Sequence, residues 1–226
     1  MIDVKLLLHQ LSDRRAVRRA GPKTRGLHWL TRHGFLVPET WFTTFDLDDG
    51  FRADPVACRA RLRDELQSII DPSREYAVRS SANVEDGQET SFAGQFQTLL
   101  SLQGVEEIAR AVENVLQSAG TLQVATYSQS VGRDVTRIQM SVIVQEMVDP
   151  VLAGVTFSRN PVTGLDEVVV EAVEGSGTLL VQDGLTPLRW VYKWGAYSQK
   201  PTAADGYGDL VAELVSRTRS IESEIG

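Results

Sequence analysis

The order in which helical and extended periodicities follow one another constrains this chain more than any single motif. Runs rich in β-branched and apolar residues at 76–80, 95–100, 139–148, 153–158, 167–173 and 188–194 read as strands. Helical spacing marks residues 3–12, 24–33, 105–117, 122–131 and 209–224, with Gly120 separating the third and fourth of these runs. Asp54-Pro55 opens a further helix, with Asp as N-cap and Pro in the first turn, running to Ile70 and stopping before Pro72. Gly34 ends the helix at 24–33, and residues 39–44 are extended. Residues 174–185 are turn-rich, and residues 199–208 are the stretch nearest to a linker. Strands and helices are mixed without strict alternation, which points to α+β layers more than to a doubly wound parallel sheet.

Composition narrows the function classes. A chain of 226 residues can form one large domain or two small lobes. The net charge of −7 argues against nonspecific binding to nucleic acid or an anionic membrane, yet leaves room for a local basic pocket. The basic cluster Arg14, Arg15, Arg18, Arg19, Lys23 and Arg25 reads first as solvated surface. Cys58 is the single cysteine, so an intrachain disulfide and a CxxC site are excluded, and it reads as a small buried apolar residue. His9, His28 and His33 lie outside HExxH spacing, and no zinc site is expected. No apolar run reaches membrane-spanning length and no signal-peptide pattern opens the chain, so a cytoplasmic protein is expected.

Three segments carry candidate chemistry. The first, at 76–98, delivers Arg79 on a short apolar run, then a polar loop, then Ser91-Phe92-Ala93-Gly94 and a second extended run. Arginine can take phosphate oxygens bidentately, and a glycine lets backbone N–H groups approach them. The plainer alternative is an arginine paired with Glu85 or Asp86 and a simple turn at Gly94. The second segment sets Lys23 ahead of a helix, where a point charge and the helix N-terminus can meet a phosphate. A surface lysine is the alternative. In the third, Val142-Ile143-Val144-Gln145-Glu146-Met147-Val148 is an apolar strand that turns polar at its end. Such a strand can offer backbone groups and the Gln145 amide to the edge of a purine, or be a core strand with a solvent-facing Gln-Glu pair.

The strings themselves resemble those of the N-terminal ATP-binding domain shared by phosphoenolpyruvate synthases, pyruvate phosphate dikinases and rifampin phosphotransferases. The carriers are Val78-Arg79-Ser80-Ser81-Ala82, Glu85-Asp86, Ser91-Phe92-Ala93-Gly94 and Thr98. Gly21-Pro22-Lys23 with Gly34-Phe35-Leu36-Val37-Pro38, the run 142–148, and Ala153-Gly154-Val155-Thr156-Phe157-Ser158-Arg159-Asn160-Pro161-Val162-Thr163-Gly164 add to them. Glu171-Ala172-Val173-Glu174-Gly175-Ser176-Gly177-Thr178 is similar to a further family segment. The resemblance runs from about Gly21 to about residue 220.

It implies an ATP-grasp-like α+β fold, with two sheet-containing lobes and a nucleotide cleft between them. The lobes would divide roughly into 1–100, the phosphate clamp with flanking helices, and 101–226, the adenine hinge. It implies ATP as ligand, held by Lys23, Arg79, Gly94, Thr98 and Gln145, with the backbone of Glu146 and Val148 reading the adenine edge. Asn160 is expected to hold its turn, and Arg159 is a further basic residue that can reach a phosphate. Two positions depart from the family pattern: Pro22 replaces a usual glycine and removes an N–H, and Thr178 stands where an acid is common. The family's Asp-x-Glu-Trp and Gln-Ser-Arg-Pro strings, which supply magnesium ligands, do not occur here, nor does its Thr-Ser-His phosphohistidine motif. Mg2+ is therefore expected with ATP but without its usual protein ligands. The pyruvate-binding domain is also absent from the string, and no catalytic residue is assigned. Two functions are expected from different classes. One is the ATP-binding portion of a dikinase-like phosphotransferase, incomplete alone, with a second chain or downstream domains supplying the metal ligands and phosphohistidine. The other is a catalytically inactive relic that binds a nucleotide or a protein as a regulatory module.

Overall fold

The computed structural model describes residues 6–83, 97–129, 138–175, 186–202 and 206–225, with 119–129 described by their backbone. The chain is mixed α/β with two antiparallel sheets and divides into two compact units, Met1–Met147 and Val148–Gly226.

In the first unit the elements run β1 (Leu8–Gln10), α1 (Arg14–Val17), α2 (Pro22–Arg32), β2 (Thr40–Thr43), α3 (Asp46–Ala53) and α4 (Pro55–Ile69). Then come β3 (Tyr76–Ala82), β4 (Thr98–Leu102), α5 (Gly104–Gln129) and β5 (Met140–Glu146). The sheet order is β1-β2-β5-β3-β4, and every pairing is antiparallel. β5 reads as a continuous apolar run because it is central and covered on both faces. Met140, Val142 and Val144 face a core with Leu47 of α3, Leu62 and Leu66 of α4, and Ile108, Val112 and Val115 of α5. Ile143 faces the other way, into a smaller cluster with Phe42, Ala16, Val17 and Ala20. α4 starts as its sequence dictates, with the Asp54 carboxylate accepting the Ala57 N–H at 3.0 Å and Pro55 at the first helical position.

Two expectations are corrected here. The run expected as a helix at 3–12 is not one over its described part: Leu8–Gln10 pair with Trp41–Thr43 as an edge strand. The Glu65 carboxylate of α4 accepts the Leu7 and Leu8 N–H groups at 2.9–3.0 Å, and this long-range hold overrides the helical spacing of Leu6, Leu7 and Leu11. Gly120 does not split a helix pair, since α5 is one helix of 26 residues. An interior glycine costs only about 1 kcal/mol relative to alanine, too little to break a helix anchored by Ile108, Val112 and Val115.

The second unit is a meander of β6 (Leu152–Phe157), β7 (Val168–Glu174), β8 (Leu188–Lys193) and β9 (Ala196–Gln199), followed by α6 (Gly208–Ile225). Val168, Val170 and Ala172 alternate onto one face of β7 and pack with Trp190 against Val211 and Val215 of α6. Gly154 is required by close approach: a Cβ there would sit 2.2 Å from the Glu171 carbonyl oxygen. The β8–β9 turn has Trp194 at φ 51° and Gly195 at φ 84°, the handedness that tight hairpins need.

The division between the units also differs from a boundary near residue 100. β5 returns the chain into the first sheet, between β2 and β3, so the compact units part after Met147. The run expected to serve as the adenine hinge thus shares a sheet with the strand carrying Arg79. Cys58 is half-buried rather than enclosed, and burial pushes its thiol pKa up. Among the described residues, no helix is long and apolar enough to cross a membrane.

Candidate functional site

Four candidate residues of the first unit, Lys23, Arg79, Thr98 and Gln145, gather on the face of the sheet opposite its main core. On β3, Tyr76, Val78 and Ala82 point into that core, so Arg79 projects from the other face. In register, Arg79 lies opposite Ile143 of β5 on one side and Thr98 of β4 on the other. Gln145 is two residues along β5 from Ile143 and shares its face. The half-buried Arg79 guanidinium donates from Nη1 to Gln145 Oε1 at 3.5 Å, the outer limit of a hydrogen bond. Buried Gln145 in turn donates from Nε2 to Thr40 Oγ1 at 2.8 Å. Thr98 is exposed beside Arg79 on the edge strand.

Lys23 reaches the same strand from α2. Its backbone N–H donates to Ser81 Oγ at 3.2 Å, and its Nζ donates to the Ser80 carbonyl at 3.1 Å, one residue along from Arg79. The helix start is fixed by a second tie, from the Gly21 N–H to Ser141 Oγ at 2.9 Å, while that hydroxyl donates to the Ser81 carbonyl at 2.9 Å. Pro22 occupies the first helical position, where a missing N–H costs no helical bond. Two cationic side chains and one amide thus lie along a short stretch of β3 and β5. Such an array is chemically suited to an anionic ligand with a hydrogen-bonding end.

The remaining expected residues fall differently. The Glu146 N–H is taken by the Glu39 carbonyl at 2.9 Å, and its carboxylate pairs with Arg74, whose pKa is pushed up by that contact. Met147 N–H donates to the Glu75 carbonyl at 2.9 Å. Val148 is exposed and begins the second unit. Gly94 lies outside the described residues, as do Glu85, Asp86 and Thr178. In the second unit Asn160 does hold its turn: Oδ1 accepts the N–H groups of Val162 at 3.0 Å and Thr163 at 3.3 Å. Its Nδ2 donates to Glu167 at 2.9 Å, and Lys193 Nζ donates to the same carboxylate at 2.9 Å. These contacts, the Asn160 bond first, hold the Glu167 carboxyl below its usual range. Arg159 is exposed and paired with Glu222 at 3.5 Å. In the basic cluster, Arg14, Arg15 and Arg18 are exposed, and Arg19 pairs with Asp46.

Sequence reasoning did not single out Thr40, Ser81, Ser141 or Gly21 as supports. A signal existed for the serines. Ser141 is the polar member of an otherwise apolar run at 140–144, and Ser81 sits inside the Arg-Ser-Ser string, where a hydroxyl facing α2 has to find a partner. Thr40 carried no such mark. Among the described residues, no three His, Cys, Asp or Glu side chains gather as a metal site, so no protein ligand for magnesium is named.

Known proteins share parts of this sequence. The family described as pyruvate phosphate dikinase, AMP/ATP-binding domain, matches residues 52–196, more than half of the chain. The chain belongs to this family of ATP-binding domains. Arg79, Thr98, Gln145, Glu146 and Val148 lie within the matched span, and Lys23 precedes it. A phosphoenolpyruvate synthase of Aeropyrum pernix is 42% identical over 51% of this chain and 14% of its own length. A phosphoenolpyruvate synthase of Aquifex aeolicus is 36% identical over 62% of this chain and 16% of its own. An uncharacterized phosphotransferase of Bacillus subtilis, YvkC, is 29% identical over 90% of this chain and 27% of its own. The chain therefore spans between 14% and 27% of the length of these relatives.

Proposed function

We propose that this chain binds ATP and forms the nucleotide-binding portion of a phosphotransferase of the phosphoenolpyruvate synthase and pyruvate phosphate dikinase kind. Lys23 and Arg79 take the phosphates, Lys23 as a point charge and Arg79 as a planar fork. Thr98 stands beside Arg79 on the edge strand and adds a hydroxyl. Gly94 lets backbone N–H groups approach the phosphates. Gln145 contacts the base from the side, and the Glu146 carbonyl and Val148 N–H read the adenine edge. In this reading the fold is ATP-grasp-like. Magnesium bound to the ATP phosphates would offset their charge. The chain's share of phosphoryl transfer is positioning and electrostatics, the terms that dominate that chemistry. Transfer to a histidine, and then to pyruvate or a related acceptor, belongs to further domains or a second chain.

One observation supports this reading above the others. Arg79 and Gln145 sit on neighbouring antiparallel strands and face the same way, with the Lys23 ammonium on the adjoining β3 carbonyl. Titrating ATP into the 15N-labelled chain tests it. The reading expects the largest shifts at Lys23, Arg79, Thr98 and Gln145. Shifts confined to other surfaces, or none at millimolar ATP, would remove this face as the site.

A further inference from the structure

We propose that Thr40 is a positioning residue for the ATP site, acting through the Gln145 amide on Arg79. The proposal rests on the nucleotide reading above and adds a residue to it. A threonine hydroxyl has a single hydrogen, and that of Thr40 goes to the Pro38 carbonyl at 2.7 Å. Toward Gln145, 2.8 Å away, the hydroxyl can then act only as an acceptor. This fixes the amide: its NH2 turns to Thr40 and its Oε1 turns to Arg79. The far end agrees, because a guanidinium only donates and needs an oxygen before it. A flipped amide would set NH2 against guanidinium at one end and leave the carbonyl oxygen facing a hydroxyl whose hydrogen is already used at the other.

Thr40 and Gln145 are both buried, at 6% and 8% exposure, so water is a poor substitute in either bond. The strands carry the relay directly, since Thr40 and Gln145 are register partners across β2 and β5. Four groups thus form one polarised chain, from Arg79 through Gln145 and Thr40 to the Pro38 carbonyl. The long final link of 3.5 Å restrains the guanidinium and leaves its remaining donors for a phosphate.

Thr40→Val keeps the shape and removes both bonds, while Thr40→Ser keeps both. In the full chain, Thr40→Val is expected to weaken ATP binding about tenfold, the scale of one lost hydrogen bond. Thr40→Ser is expected to restore it. In an Arg79→Ala background the Val substitution is expected to change affinity no further, because the residue it acts through is gone. The same loss with and without Arg79, or no recovery with serine, would overturn the proposal. A second readout needs no nucleotide. The Gln145 side-chain NH2 signals are expected to exchange slowly with solvent in the parent chain and in Thr40→Ser, and quickly in Thr40→Val. Unchanged Gln145 exchange in Thr40→Val would also overturn it. Failure of the nucleotide reading has a different signature: no ATP binding by the parent chain while its Gln145 amide stays protected. The proposed role toward ATP falls with that result.

Discussion

Replacing Gly21 by alanine puts a methyl group where the first sheet already is. Gly21 has φ −72° and ψ 173°, extended backbone that any residue adopts, so space rather than conformation demands glycine. An added Cβ would lie 2.3 Å from Ser81 Oγ, 2.4 Å from the Ser81 carbonyl oxygen and 2.6 Å from its carbon. The hydroxyl can rotate away, but the two backbone atoms belong to β3 and cannot. Reaching ordinary contact, about 3.4 Å, requires the start of α2 to retreat by about 1 Å. The ties that seat it are then strained: Gly21 N–H to Ser141, Lys23 N–H to Ser81 and Lys23 Nζ to Ser80, now 2.9, 3.2 and 3.1 Å. A 1 Å retreat carries them to about 4 Å, beyond hydrogen-bond range. Overpacking of this kind costs about 1–3 kcal/mol, and a lost buried hydrogen bond adds about 1 kcal/mol. Gly21→Ala is expected to destabilise the first unit by about 2–4 kcal/mol. Urea unfolding followed by Trp41 fluorescence measures the loss. ATP affinity is expected to fall as well, because Lys23 moves with the helix. Stability within about 0.5 kcal/mol of the parent, together with unchanged ATP affinity, would refute the close-packing argument.

Leu66→Ala empties a fully buried position where α4 meets the sheet, and a loss of about 2–5 kcal/mol is expected in the same urea assay. For the second unit, Glu167 sets an acid dependence. Its folded pKa is lowered by Asn160 and Lys193, so its contribution is present above the ordinary carboxylate value and is lost as pH falls through the lowered one. Lys193→Met removes one of those causes and should move the acid unfolding midpoint, followed by Trp190 fluorescence, to higher pH. A midpoint that stays put or moves down would contradict the network.

The strand at 139–148, the Asp54-Pro55 helix start and the Asn160 turn were legible because their signals are local. Burial on both faces writes an apolar run, a capping carboxylate sits one residue before its helix, and an Asx side chain bonds two residues on. Elements decided by distant partners were not. β1 is extended because β2 and Glu65 hold it, and neither is visible from Leu6, Leu7 and Leu11. Gly120 looked like a break because a pattern cannot weigh one glycine against the packing of a long helix. The site shows the same division. Lys23, Arg79 and Gln145 were named as candidates through the strings that carry them. Thr40, 105 positions from Gln145, became visible only when the sheet order β2-β5-β3 made it a neighbour. α1, α3 and β9 went unread for being short.

The central claim is that Arg79 belongs to a working nucleotide site. Calorimetric titration of the chain with ATP, with and without magnesium, beside its Arg79→Ala variant, tests it most directly. The account predicts measurable ATP binding by the parent chain and a loss of about 1.5–3 kcal/mol in the variant, the scale of a charge-assisted hydrogen bond. Equal affinity in both, with the variant still folded, would contradict it.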